Sequence, residues 1–172
     1  MASSVVPPPS ASSPRDGSAR PDERQMVAGM SREEFVARLV RAGELEVSGE
    51  NPDEADGYFS PDYRFHGPGG WEAGYDGLQA YFQSWRDAFD NRKITRGIVV
   101  VEGNFIACQT TMEGDFVREF TQSPAGSLAP NGRHVMFDLM NIFRYDDEGR
   151  IVDEYVQIDN HALLQQLGAA GD

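Results

Sequence analysis

The sequence predicts an α+β fold, a strongly curved antiparallel sheet wrapped around N-terminal helices. Three observations carry that expectation. Helical patterns come first and strand patterns follow, with no alternating βα units, which excludes a doubly wound sheet. The stretch from Arg133 to Gly168 reads as two long strands joined by a tight acidic turn and closed by a short helix. YRFHGPGG, at Tyr63 to Gly70, alternates like a strand and then runs into a glycine-rich turn.

Taken in order, residues 1–28 hold Pro7, Pro8, Pro9, Pro14 and Pro21 among serines, alanines and scattered charges. Without apolar periodicity they cannot offset their ordering entropy, so a disordered extension is expected there, followed by one domain over 29–172. Ser31 and Glu34 form a capping box, and Phe35, Val36, Leu39, Val40 and Ala42 follow at helical spacing, which predicts a helix over about 31–48. Pro52 starts a short second helix after the break at Gly49. A third begins at Gly77, with Leu78, Tyr81, Phe82, Trp85 and Phe89 on one wide apolar face that must be buried. Strand patterns follow at 94–102, 105–113 and around 116–121, and the segment 122–132 reads as a loop rich in Gly, Pro, Ser and Asn. The terminal strands span 135–145 and 150–158, meet at Asp146 to Gly149, and lead into a last helix from Asn160 through Leu167.

Charge and cysteine content narrow the function. The tail's charges cancel, so the net charge of -13 belongs to the folded part. A field of that sign repels phosphate backbones and anionic headgroups, so neither nucleic acid nor a membrane is an expected partner. No apolar run approaches the roughly 20 residues that span a bilayer. Cys108 is the sole cysteine, which rules out an internal disulfide and suits a reducing, cytoplasmic compartment. His66, His134 and His161 lie far apart without paired ligand spacing, so no metal site is expected. Neither a phosphate loop nor a dinucleotide fingerprint is present, and no cofactor is implied.

Certain pieces also carry a family resemblance: HGPG at His66 to Gly69, PNGRHV at Pro130 to Val135, the hairpin NIFRYDDEGRIVDEY, and the ending IDNHALLQQLG. In this order and spacing the chain resembles the nuclear transport factor 2-like superfamily, and within it the SnoaL-like polyketide cyclases, over about 31–168. The resemblance implies a cystatin-like cone enclosing a hydrophobic pocket, in a homodimer, with a small hydrophobic substrate such as a polyketide intermediate. It also implies an aspartate in the last strand as general acid and base, and so do the related limonene epoxide hydrolases. Counting from the hairpin glycine puts Val156 there, and valine cannot move a proton. The family's pocket histidine on the preceding strand corresponds to Asn141, and its polar residue after the early strand to His66.

The candidate site follows. His66 is the acid–base candidate, because an imidazole side chain suits proton transfer and this one sits beside a glycine-rich turn where substrate could approach. If Val156 faces inward, alternation adds Glu154 and Ile158 to that face and turns Tyr155, Gln157 and Asp159 away. Glu154 is then the carboxylate nearest the lost site, with a raised pKa if poorly solvated. Asn141 can donate a hydrogen bond to a carbonyl or developing enolate. Trp71, Tyr75, Phe82 and Trp85, with Leu139 and Val156, are expected to shape the pocket. The chain therefore reads as a cofactor-free cyclase or isomerase working by acid–base chemistry or by positioning alone. A non-catalytic binding module, and an epoxide hydrolase or dehydratase on the same fold, stay open.

Overall fold

The computed structural model describes residues 29–169; the extension expected over 1–28 lies outside the described residues. Helix α1 (Arg32–Ser48) opens on the capping box: the Ser31 hydroxyl accepts from the Glu34 N–H while the Glu34 carboxylate accepts from the Ser31 N–H. It closes at Gly49, whose φ of 74° suits a residue without a Cβ. After the short α2 (Pro52–Asp56) come β1 (Phe59–His66), a 3-10 turn at Pro68–Gly70, β2 (Glu72–Ala73) and α3 (Tyr75–Ala88). The remainder is β3 (Phe89–Glu102), β4 (Phe105–Phe116), β5 (Phe120–Ser123), β6 (Gly126–Leu128), β7 (His134–Tyr145), β8 (Ile151–Ile158) and α4 (Asn160–Leu167).

Six strands form one sheet in the order β2-β1-β8-β7-β4-β3, and β5 and β6 make a separate hairpin. This corrects the antiparallel expectation: β1 lies parallel to β8, so the sheet is mixed. Side-chain alternation reports which face a strand buries but not which way it runs, and no tight turn joins β1 to β8. Two other differences are local. The hairpin β5–β6 occupies part of the segment read as loop, because the Ser123 side chain ties the turn by accepting from the Ala125 N–H and donating to the Gly126 carbonyl. Strand β3 begins at Phe89, five residues early, passing a bulge near Asn91 that its polar sequence concealed.

Two apolar clusters fill the interior. One joins Phe35 and Leu39 of α1 to Tyr63, Ile106, Phe143 and Ile151 on the sheet. The other surrounds Trp85, which stacks on Phe89 at 3.8 Å and meets Phe120 and Phe137 edge-on. Phe82 and Leu139 pack against both clusters, and between those two side chains the filling is incomplete. Among the described residues no helix is long and apolar enough to cross a membrane.

Candidate functional site

A cavity of about 540 Å³ opens where the curved sheet fails to meet α3. Strand alternation decides its floor. On β8, Glu154, Val156 and Ile158 point into it, and on β7 Leu139 and Asn141 do the same. Leu78, Tyr81 and Phe82 of α3 form the opposite wall, while Phe65, Pro68, Trp71, Met112, Gln122–Pro124, Asn160 and Leu163 complete the lining. Trp71 remains 43% exposed, which puts its indole at the rim. Volume and lining suit a drug-sized apolar molecule.

One polar chain crosses this apolar floor. Arg96 of β3 donates to the Thr110 hydroxyl, so that hydroxyl must in turn donate to Asn141 Oδ1, at 2.7 Å. The amide is thereby oriented with Nδ2 toward Glu154, which it reaches at 2.8 Å from Oε1. Tyr63 donates to the other carboxylate oxygen, also at 2.8 Å. Burial pushes the Glu154 carboxyl above the ordinary glutamate range, against the opposing pull of the Tyr63 bond, the Arg96 charge and the Asn141 bond. The result is a dry carboxyl group, fixed by two donors, facing an apolar chamber. Such a group can take a proton from an acidic C–H and return it to oxygen. Asn141 serves it mainly as a positioning partner, with a second amide N–H left for a substrate carbonyl.

Several expected site residues lie elsewhere. His66 is outside the cavity: Tyr63 and Phe65 turn inward, so the next residue on the strand turns out. There its Nε2 sits 3.1 Å from Asp153, its ring stacks on Tyr155 at 4.4 Å, and Arg144 holds the same aspartate. Tyr75 also misses the cavity, since it stacks on Phe59 at 4.6 Å and donates its hydroxyl to Glu46. Trp85 is fully buried core, one helical turn beyond the cavity wall. Phe82, Trp71, Leu139 and Val156 do line the chamber. Asp138 faces outward and Asp159 caps α4 through the Ala162 N–H. Among the described residues no group of three His, Cys, Asp or Glu side chains is placed to hold a metal ion.

Sequence reasoning missed Tyr63, Thr110, Arg96 and Glu46. In the structure Tyr63 shares strand parity with the buried Phe65, and Thr110 with the buried Cys108 and Met112. Glu46 follows Phe35, Leu39 and Ala42 at helical spacing and is 3% exposed. Its carboxylate accepts from Gln79 at 2.7 and 2.9 Å and from Tyr75 at 3.2 Å. Burial raises its pKa to about 7.

Comparison with known proteins supplies the context. A family model described as SnoaL-like polyketide cyclase matches residues 37–167. TsrD from Streptomyces laurentii superposes with a TM-score of 0.67 at 25% identity, covering 81% of this chain and 98% of that one. IdmH from Streptomyces antibioticus, described as a candidate polyketide cyclase, gives a TM-score of 0.65 at 25% identity over 81% of this chain and 99% of its own. AclR from Streptomyces galilaeus, a candidate hydroxylase, shares the fold at 20% identity and a TM-score of 0.68, over 83% and 89% of the two chains. No curated protein sequence matches the chain.

Proposed function

The chain belongs to the SnoaL-like polyketide cyclase family, and from that membership we propose that it is a cofactor-free cyclase or isomerase acting on an apolar, polyketide-type small molecule. One observation carries the reading: among the residues lining the chamber, Glu154 is the one carboxyl group, and it stands between two fixed donors. In the proposed cycle the Glu154 carboxylate removes a proton from carbon next to a substrate carbonyl. The enolate carbon then bonds to a second carbonyl carbon of the same molecule, whose C=O electrons move onto oxygen. Neutral Glu154 returns the proton to that alkoxide, so no electron acceptor or external acid is consumed. The apolar walls fold the chain and exclude water, which strengthens each hydrogen bond around the developing charge.

Position 156 keeps a second reading in play. Valine stands where the resemblance implies the family's aspartate, which favours a ligand-binding module without turnover. Deuterium exchange at the acidic carbon of an aromatic β-keto ester separates the two. The wild-type chain is expected to accelerate exchange, and Glu154→Gln to lose roughly 100-fold or more of that rate while Trp71 fluorescence still reports binding. Equal exchange rates in both proteins would overturn the acid–base reading. Binding with no exchange in either would favour the module.

We also propose a homodimer, which the resemblance implies and the outer sheet face supports. Val100, Ala107, Ile142 and Tyr155 are neighbours in register across four strands there, beside Met140, which is 60% exposed. An exposed apolar row of that extent is characteristic of a contact surface.

A further inference from the structure

A second cavity of about 40 Å³ shares Phe82, Leu139, Asn141 and Glu154 with the lining of the large chamber and is bordered by Glu46 as well, with Arg96 and Thr110 also on its wall. That is room for one or two waters. Its wall is polar where a water would need partners, because Arg96 Nε is buried there without a hydrogen-bond partner among the described residues. We propose that Glu46 is a second acid–base group of the site, sharing one proton with Glu154 across this small cavity. The inference rests on the reading of the chamber as a place of proton transfer.

The surroundings argue for sharing. Among the described residues no cation comes within ion-pair distance of either carboxylate. Two buried anions in one low-dielectric pocket repel, so the first to ionise holds the proton on the other. Facing Glu154 are Tyr63 from β1, Arg96 from β3, Cys108 from β4 and Asn141 from β7. Facing Glu46 are Tyr75, Gln79 and Arg86 of α3, the last bonded to its backbone carbonyl. Arg96 lowers the Glu154 pKa and Arg86 that of Glu46, so each carboxyl has a cation nearby that offsets part of the cost of a charge. The route to solvent runs from Glu46 through the Tyr75 hydroxyl to the exposed Asp56 beside it. Before the reaction a water in the small cavity can accept the shared proton from Glu154 while giving another to Glu46, which leaves Glu154 as the carboxylate that takes a proton from carbon; the reverse step resets the pair once that proton has gone to the alkoxide. A helix clamp alone would need hydrogen bonds to Glu46 but no cavity shared with Glu154.

Carboxyl-carbon NMR of the full chain labelled with [13C]glutamate tests this. In the wild type, Glu46 and Glu154 are expected to titrate together in two steps belonging to the pair. In Glu46→Gln, Glu154 should titrate in a single step at lower pH, and the acid limb of proton abstraction from 5-nitrobenzisoxazole should move the same way. Should Glu46→Gln loosen α1, Tyr75→Phe keeps the carboxylate and removes one donor: Glu46 should then titrate higher and Glu154 lower. A Glu154 curve unchanged in both variants would overturn the pair while leaving Glu154 itself as the base. Two-step coupling in the wild type, together with proton abstraction that Glu154→Gln leaves unchanged, supports the pair and counts against the chamber as a catalytic site.

Discussion

A carboxyl group buried on a helix face makes stability depend on pH in a definite direction. Glu46 keeps its proton in the folded protein up to about pH 7, whereas in the unfolded chain it titrates near the ordinary 4.5. Between those values the folded state binds more protons, so its stability is complete below the lower value and is lost as pH rises through the upper one. The loss is roughly 3 kcal/mol. Glu46→Gln retains partners for Gln79 and Tyr75 and cannot ionise, so the urea midpoint of the variant should exceed the wild-type value above neutrality and the two should converge near pH 4.5. Parallel curves across that window would show that Glu46 is not buried as described. At this scale much of the site was legible. Parity from Val156 places Glu154 inward, and parity from Phe65 places His66 outward just as firmly, although the glycine-rich turn drew attention to the histidine. Tyr63 was harder to read, because its bond to Glu154 depends on the pairing of β1 with β8, strands 91 residues apart at the bonded side chains.

Elements tell the same story with longer reach. Capping box, hairpin turn and last helix are local in sequence, and the structure has each where its residues predict. The direction of β1 and the β5–β6 hairpin depend on contacts that no local pattern encodes. The packing of α1 against β3 is another such contact, and it bears on the chemistry. Gly43 lets the Arg96 side chain pass beneath the helix: a Cβ there would come within 2.8 Å of Arg96 Nη2 and 3.2 Å of Ile94. Alanine favours the helix by about 0.5 to 1 kcal/mol, and the guanidinium is the mobile end of a long side chain, so Gly43→Ala should fold with a stability close to wild type. What should change is the charge near the carboxylate. With Arg96 displaced from Thr110, Glu154 loses a group that lowers its pKa and should titrate higher, with the rate of base-catalysed exchange falling near neutrality. An unchanged Glu154 titration in that variant would remove Arg96 from the polar chain.

Seen as a whole, the molecule has an inner sheet face that is mostly apolar and an outer face that is apolar in part. The sequence shows this directly, since in VMFDLMNIF both parities of β7 carry large apolar side chains: Val135, Phe137 and Leu139 inward, Met136, Met140 and Ile142 outward. An antiparallel strand with a solvated side ordinarily keeps that side polar. The outer row from Val100 through Ala107 and Ile142 to Tyr155 contains no acid, although the chain as a whole carries a net charge of -13. Two copies meeting through this row bury apolar surface, at about 25 cal/mol per Å², against a repulsion that acts over a longer range and is screened by salt. The proposed dimer should therefore tighten as ionic strength rises from low to physiological. Ile142→Lys sets a charge at the centre of the row while Asn141 and Phe143 still face inward, so it should leave the chamber and its ligand affinity intact. Light scattering should give twice the 19.0 kDa chain mass for the wild type and the single mass for the variant. A wild-type monomer at physiological salt, or a variant that still dimerises, would mean that the outer row is not the face at which copies of this chain meet.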